Sequence, residues 1–160
     1  MNVVTLDMKG LKQVQRRLTI SDTARTEVGI FSKNASRTPG PRDTEGLNNV
    51  EIGAKNEFGS FSEGIPRRSF LRDPLVLGMG EAVKKENDKL LTALIDEGAK
   101  AFLSDLGETA QGVIKEGFET NGFGTWVPNS PRTVLLKGSD RPLRDTDQLM
   151  ESTDSRVKMK

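Results

Sequence analysis

AKAFLSDLGETAQGVIKEGF, residues 99–118, is the stretch whose reading decides the fold. Ala99, Phe102, Leu103, Leu106, Ala110, Val113, Ile114, Gly117 and Phe118 recur at three- and four-residue spacing. That seam predicts a long amphipathic helix of about five turns. Small residues beside it (Gly98, Ala99, Gly107, Ala110, Gly112, Gly117) would let neighbouring backbones approach closely, and Asn121-Gly122-Phe123-Gly124 breaks it. Upstream, Ser69 is expected to cap a second long helix. Phe70, Leu71, Leu75, Leu77, Met79, Ala82 and Val83 form its early apolar face and Leu90, Leu91, Leu94 and Ile95 its late one. Pro74 is tolerable in its first turn, and its middle, Glu81 to Lys89, is nearly all solvated.

Around these helices lie shorter elements. Val3, Val4 and Leu6 read as a β-type run, and Thr26 to Phe31 as a strand with a buried end. Ser155 to Met159 alternates and could add an edge strand. An amphipathic helix is expected from about Asp7 to Leu18. A short one places Leu47, Val50, Ala54 and Phe58 on one face and ends at Gly59, which suits a left-handed cap. Two further helical pieces fall near Pro131 to Lys137 and near Asp145 to Glu151. The expected architecture is α+β: a small mixed sheet packed against two long helices, in one domain over residues 1–160. Residues 32–49 contain one large apolar residue, Leu47, and read as a flexible arm that orders on assembly; about 125–160 reads as a C-terminal extension.

Composition limits the chemistry. Apolar residues make up 34% and aromatics 5% of 160 residues, a lean core for the length. The net charge of +1 argues against a globally basic nucleic-acid binder. With no His, no Cys and no Tyr, the chain has no imidazole base, thiol nucleophile or disulfide. It is expected to be a soluble, non-enzymatic protein without cofactors, made in a reducing cytoplasm and independent of membranes.

Few constellations invite a chemical reading. Asp140, Asp145, Asp147 and Glu151 resemble a hard-cation site, but helix capping explains them: Asp145 would cap the helix holding Gln148 and Leu149, with Thr146 and Asp147 in its first turn. Glu51 and Lys55, which fit an acid-x-Lys nuclease pattern, are expected to form an i,i+4 surface pair. Arg67, Arg68 and Arg72 form a local basic cluster that would meet a partner's carboxylates, solvent or nucleic-acid phosphate. Trp126, the one tryptophan, sits in a proline-rich loop as a core lid or an interface anchor.

Two strings then suggest a family. Glu57-Phe58-Gly59 followed by Ile65-Pro66-Arg67-Arg68-Ser69-Phe70-Leu71 resembles the E-F-G…I-P-x-R-x-F-L signature of the tail-completion and head–tail joining proteins of long-tailed bacteriophages. Downstream, Trp126, Pro128, Ser130 and Thr133, then Lys137-Gly138, then Arg141-Pro142-Leu143, Asp145-Thr146, Leu149 and Ser152 resemble the related virion-morphogenesis family. Asp147 stands where that family has glycine, which favours a helix start over a tight turn.

The resemblance implies a structural protein of the virion neck or tail. It would be a tail terminator or completion protein forming a homo-oligomeric, commonly hexameric, ring that caps the tail tube and joins it to the head. Its partners would be copies of itself, tail tube or sheath proteins and head-side connectors, with genomic DNA nearby. Phe58, Ile65, Phe70 and Leu71 are expected to pack the junction of the short and long helices. Arg67, Arg68, Arg72 and Phe70 are expected at interfaces, and Trp126 with the Arg141–Leu143 turn would anchor the C-terminal segment. The alternatives are a head-side stopper or adaptor, a minor tail or baseplate protein and, from another class, a small DNA-binding protein.

Overall fold

The computed structural model describes residues 24–39 and 46–159, together with Lys12, Gln15 and Arg16. Those three are helical, inside the helix expected over 7–18. The rest of that helix and the run Val3 to Leu6 lie outside the described residues.

The fold is α+β. Strand β1 (Arg25–Ile30) is followed by α1 (Asn49–Phe58), α2 (Arg72–Lys85), α3 (Asn87–Thr92), α4 (Ala99–Glu119), α5 (Pro131–Lys137), α6 (Gln148–Glu151) and strand β2 (Thr153–Lys158). Among the described residues the sheet is a two-stranded antiparallel ribbon rather than the expected mixed sheet, with Arg25 opposite Lys158 and Ile30 opposite Thr153. A ribbon that small needs a helix against it to be stable.

That helix is α4. It buries Ala99, Leu103, Gly107, Ala110, Val113, Ile114, Gly117 and Phe118 along the expected seam. Toward the ribbon, the Thr26 hydroxyl donates to the Leu103 carbonyl at 2.6 Å and Gln111 Nε2 donates to Ser155 Oγ at 2.6 Å. Toward α2, Gly117 lies so near Pro74 that a Cβ on it would stand 2.6 Å from the ring. Pro74 is the third residue of α2, where its missing N–H leaves no intrahelical bond unmade. The core proper gathers Phe70, Ile114, Phe118, Trp126 and Leu149, with Ile30, Ile52, Leu71, Leu75 and Leu143 packed around it.

Four further expectations are corrected here. The second long helix is not continuous: α2 ends at Lys85, Glu86 adopts φ −94°, ψ 10°, and a π-helical turn, Ala93–Glu97, follows α3. The break falls in the solvated Glu81–Lys89 stretch, where no buried side chain holds the helical ladder in phase.

The face of α1 is also rotated. Asn49, Gly53 and Glu57 are buried while Val50 and Phe58 point outward. Polar groups win the inward face because each finds partners there: Asn49 Nδ2 donates to the Ser36 carbonyl at 3.0 Å, and Glu57 accepts several bonds described below. Glu51 does not pair with Lys55 across a turn. Its carboxylate accepts the Asn48 N–H at 2.8 Å in a capping box, and Lys55 pairs with Glu63 at 3.0 Å.

Finally, the described parts of the 32–49 arm are fastened to the domain. Ser32–Asn34 forms a 3-10 turn, and the Thr38 N–H donates to Gln148 Oε1 at 2.8 Å. The Asn49 N–H donates to the Ala35 carbonyl at 2.9 Å. Residues 40–45 lie outside the described residues. Among those that are described, no helix is long and apolar enough to cross a membrane.

Candidate functional site

The two strings singled out in the sequence meet in space, and their meeting begins with Glu57. Its carboxylate is buried at the end of α1 and receives the Ser69 hydroxyl at 2.7 Å and the backbone N–H groups of Phe70, Leu71 and Arg72 at 2.8, 3.0 and 3.2 Å. Those amides open α2, whose first turn lacks intrahelical acceptors. A negative group there also complements the helix dipole. Ser69 adds a second cap, its hydroxyl accepting the Asp73 N–H at 3.0 Å. Gly59 takes φ 77°, and a side chain on it would strike the Arg67 backbone at 2.9 Å, so the position needs glycine on both counts. Glutamate, glycine and the segment from Ile65 to Leu71 thus form one locked turn. Its outer part is a short hairpin in which Ser60 and Ile65 exchange two backbone bonds at 2.9 Å.

The downstream string closes on this turn. Arg68 is buried and directs Nε to the Val127 carbonyl at 2.7 Å and Nη2 to the Pro128 carbonyl at 3.0 Å. Burial lowers its pKa from the ordinary arginine value, which leaves it charged at neutral pH. Trp126 packs edge-on to Phe118 with centroids 5.6 Å apart and donates its indole N–H to the Ser69 carbonyl at 3.0 Å. The chain reaches this position through Asn121, Gly122, Phe123 and Gly124, four consecutive residues with φ between 54° and 78°. At Gly122 a Cβ would stand 2.2 Å from the indole nitrogen, so only glycine lets the tryptophan fold back over the helix end.

Beyond the clasp, a cavity of about 370 Å³ opens between α1, α5 and the 143–149 turn. Both strings contribute to its wall, Arg68 from one and Thr133, Lys137, Leu143 and Asp145 from the other. The Nδ2 of Asn129 is buried there without a partner. Asp147, not Asp145, precedes α6, with φ 55°, ψ 0° and no side-chain cap. The tight turn that glycine would make is therefore present, carried by an aspartate. Its short side chain tolerates the left-handed region and pairs with Arg144 through both oxygens, at 2.9 and 3.0 Å. That guanidinium holds the Asp147 carboxyl below its ordinary value.

The expected interface residues divide accordingly. Phe70 lies in the core, Arg68 is an internal clasp and Trp126 belongs to its own domain. All three are buried within the chain itself. Arg67 is exposed and pairs with Asp73 at 2.7 Å; Arg72 and Arg141 are exposed. Leu143 packs against the core with φ 59°. Of the four residues expected at the helix junction, Phe70 is buried and Leu71 packs on the core, whereas Ile65 is half-buried in the hairpin, as is Pro66 just beyond it. Phe58 is 77% exposed, because the α1 face turned inward is the Glu57 face. Asp145 and Thr146 are exposed at the cavity rim, and Leu149 is a core residue.

Sequence reasoning missed two features. Phe61 at the hairpin tip is fully exposed, and Glu57 is the acceptor that organises the turn. The signal for the second was a glutamate twelve residues before a serine at a helix start, too long a separation for a capping motif. Among the described residues no group of three or more acidic side chains could hold a metal ion. No protein-family model, curated protein or solved structure matches this chain.

Proposed function

We propose that this chain is a structural protein of a bacteriophage neck or tail. It would be a tail terminator or completion protein, non-enzymatic, that assembles as a homo-oligomeric ring, hexameric by the resemblance, between tail tube and head. The observation that carries this reading is that the two resembling strings make a single folded unit. Glu57 gathers the amides of the first string, and Arg68 and Ser69 bind the second through Val127, Pro128 and Trp126. Residues far apart in the chain are thus parts of one scaffold, which gives their joint presence a physical reason.

The surface supports it too. Phe58, Phe61, Val76, Leu135 and Leu136 are large apolar side chains left mostly exposed, as a subunit buried by its neighbours would leave them. A head-side stopper or adaptor in the same region of the particle has the same support. The DNA-binding alternative has less. Of its arginine cluster, Arg68 is spent on two carbonyls and Arg67 on Asp73, so the cluster does not present three phosphate-binding cations.

Mass photometry of the purified chain across concentrations, alone and with isolated tail tubes, tests the reading. Discrete oligomers, or capture at tube ends, are expected. A chain that stays monomeric and ignores tubes overturns it.

A further inference from the structure

Helix α2 carries two unlike surfaces. At its N-terminal end stands the Ser60–Ile65 hairpin, braced by its two backbone bonds, by the Gly64 N–H to the Phe61 carbonyl at 3.2 Å and by the Lys55–Glu63 pair. Phe61 projects from the tip fully exposed, with Phe58 close behind in the chain. Arg72 is exposed in the first turn of α2, and its guanidinium has no partner among the described residues. An aromatic ring on a rigid turn loses little entropy when it is covered, which is the property of an interface anchor.

The other surface is a groove of about 780 Å³ between α2 and α4. Leu77, Val113 and Phe123 line it with apolar surface, and Glu86 and Glu116 supply negative charge beside Glu81, which pairs with Lys84 at 2.6 Å. Lys85 and Lys89 also border it, but Lys89 is engaged with Asp105 and Glu108 at 3.7 and 3.2 Å. The Glu116 carboxylate has no partner among the described residues. At Gly112 the groove is open, with nothing within 4 Å of a Cβ position.

We propose that the Phe61 hairpin of one copy docks into the α2–α4 groove of the next, with Arg72 facing its glutamate rim. Charge complementarity selects a second copy as the occupant: the knob comes with an unpaired arginine, the groove with an excess of glutamates. A chain cannot fill its own groove, because the Glu57 cradle fixes the hairpin to the first turn of α2 while the groove begins further along the same helix. Knob and groove are different patches, so the contact is head-to-tail and repeats until a ring closes or a filament grows. This rests on the self-assembly proposed above and names the surfaces that make it.

The absence of cysteine makes the test direct. Phe61→Cys and Gly112→Cys variants, mixed and oxidised, are expected to form a disulfide-linked heterodimer, and the double variant a ladder of covalent oligomers. By sedimentation, Phe61→Asp should weaken association at least tenfold with an unchanged urea midpoint. Arg72→Glu should weaken it and Glu116→Arg in the same chain should restore it. If the unsubstituted chain never self-associates, alone or on tail tubes, the assembly reading and this inference both fall. If it associates while Phe61→Asp associates equally well, or only like-with-like disulfides form, this inference alone is overturned and the groove belongs to another partner.

Discussion

The Trp126 indole nitrogen donates to the Ser69 carbonyl at 3.0 Å, across 57 residues of sequence. That bond ties the segment after α4 to the start of α2, and the ring beneath it fills the core against Phe118. Removing the hydrogen bond and removing the ring should therefore cost differently. Trp126→Phe leaves the Ser69 carbonyl buried without its donor, for a loss of about 1–3 kcal/mol. Trp126→Ala also opens a cavity and should lose about 3–5 kcal/mol. Urea unfolding of both variants measures the difference, and equal losses would show that packing alone matters.

Glu57 should be intolerant even of its amide. Glu57→Gln turns an NH₂ toward converging donors and is expected to destabilise by about 1–3 kcal/mol. Glu57→Ala should cost more, because every donor in the cradle then loses its acceptor. Hydrogen exchange at Phe70, Leu71 and Arg72 should accelerate before the rest of α2 is affected.

Two glycines on the same helix should respond with opposite signs. Gly117→Ala would place its Cβ 2.6 Å from Pro74 and force α2 away from α4. Such overpacking costs about 1–3 kcal/mol, enough to offset the gain of about 1 kcal/mol in helix propensity. Gly112→Ala meets open space and should keep that gain. Thermal melts of the pair check the sign.

The ribbon should weaken in acid. Glu27 accepts from Lys158, Arg156 and Arg25, and these cations lower its pKa from 4.5 to about 2. Asp154 is lowered as well, chiefly by Lys33. A carboxyl whose folded pKa lies below its unfolded value contributes stability that is complete above the unfolded value and lost as pH falls through the folded one. Melting temperature should therefore drop as pH falls from about 4.5 towards 2, and Glu27→Gln should flatten that dependence. Because these groups are exposed, added salt should flatten it too.

What could be read directly from the sequence was periodic or local. The α4 seam, the strands near Thr26 and Ser155 and the Ser130–Pro131 start of α5 each depend on neighbours a few residues away. The α1 face was misread for the converse reason. Its apolar residues suggested one side, but the buried side is polar and is stabilised by acceptors and donors from Ser36 and from the start of α2. At Asp147 the residue type suggested a helix start, and the ion pair with Arg144 allows the turn instead.

By itself, then, the sequence determined the helical seam, the α+β class and the two strings of residues on which the family resemblance rests, because hydrophobic spacing and turn chemistry are short-range. Only the tertiary structure decided that Arg68 and Phe70 face inward, that Glu57 is a helix cap and that Phe58 and Phe61 face out. Those outcomes depend on which distant backbone groups need a partner. A buried carbonyl or amide must be satisfied from wherever the fold can supply it, and spacing along the chain carries no record of that.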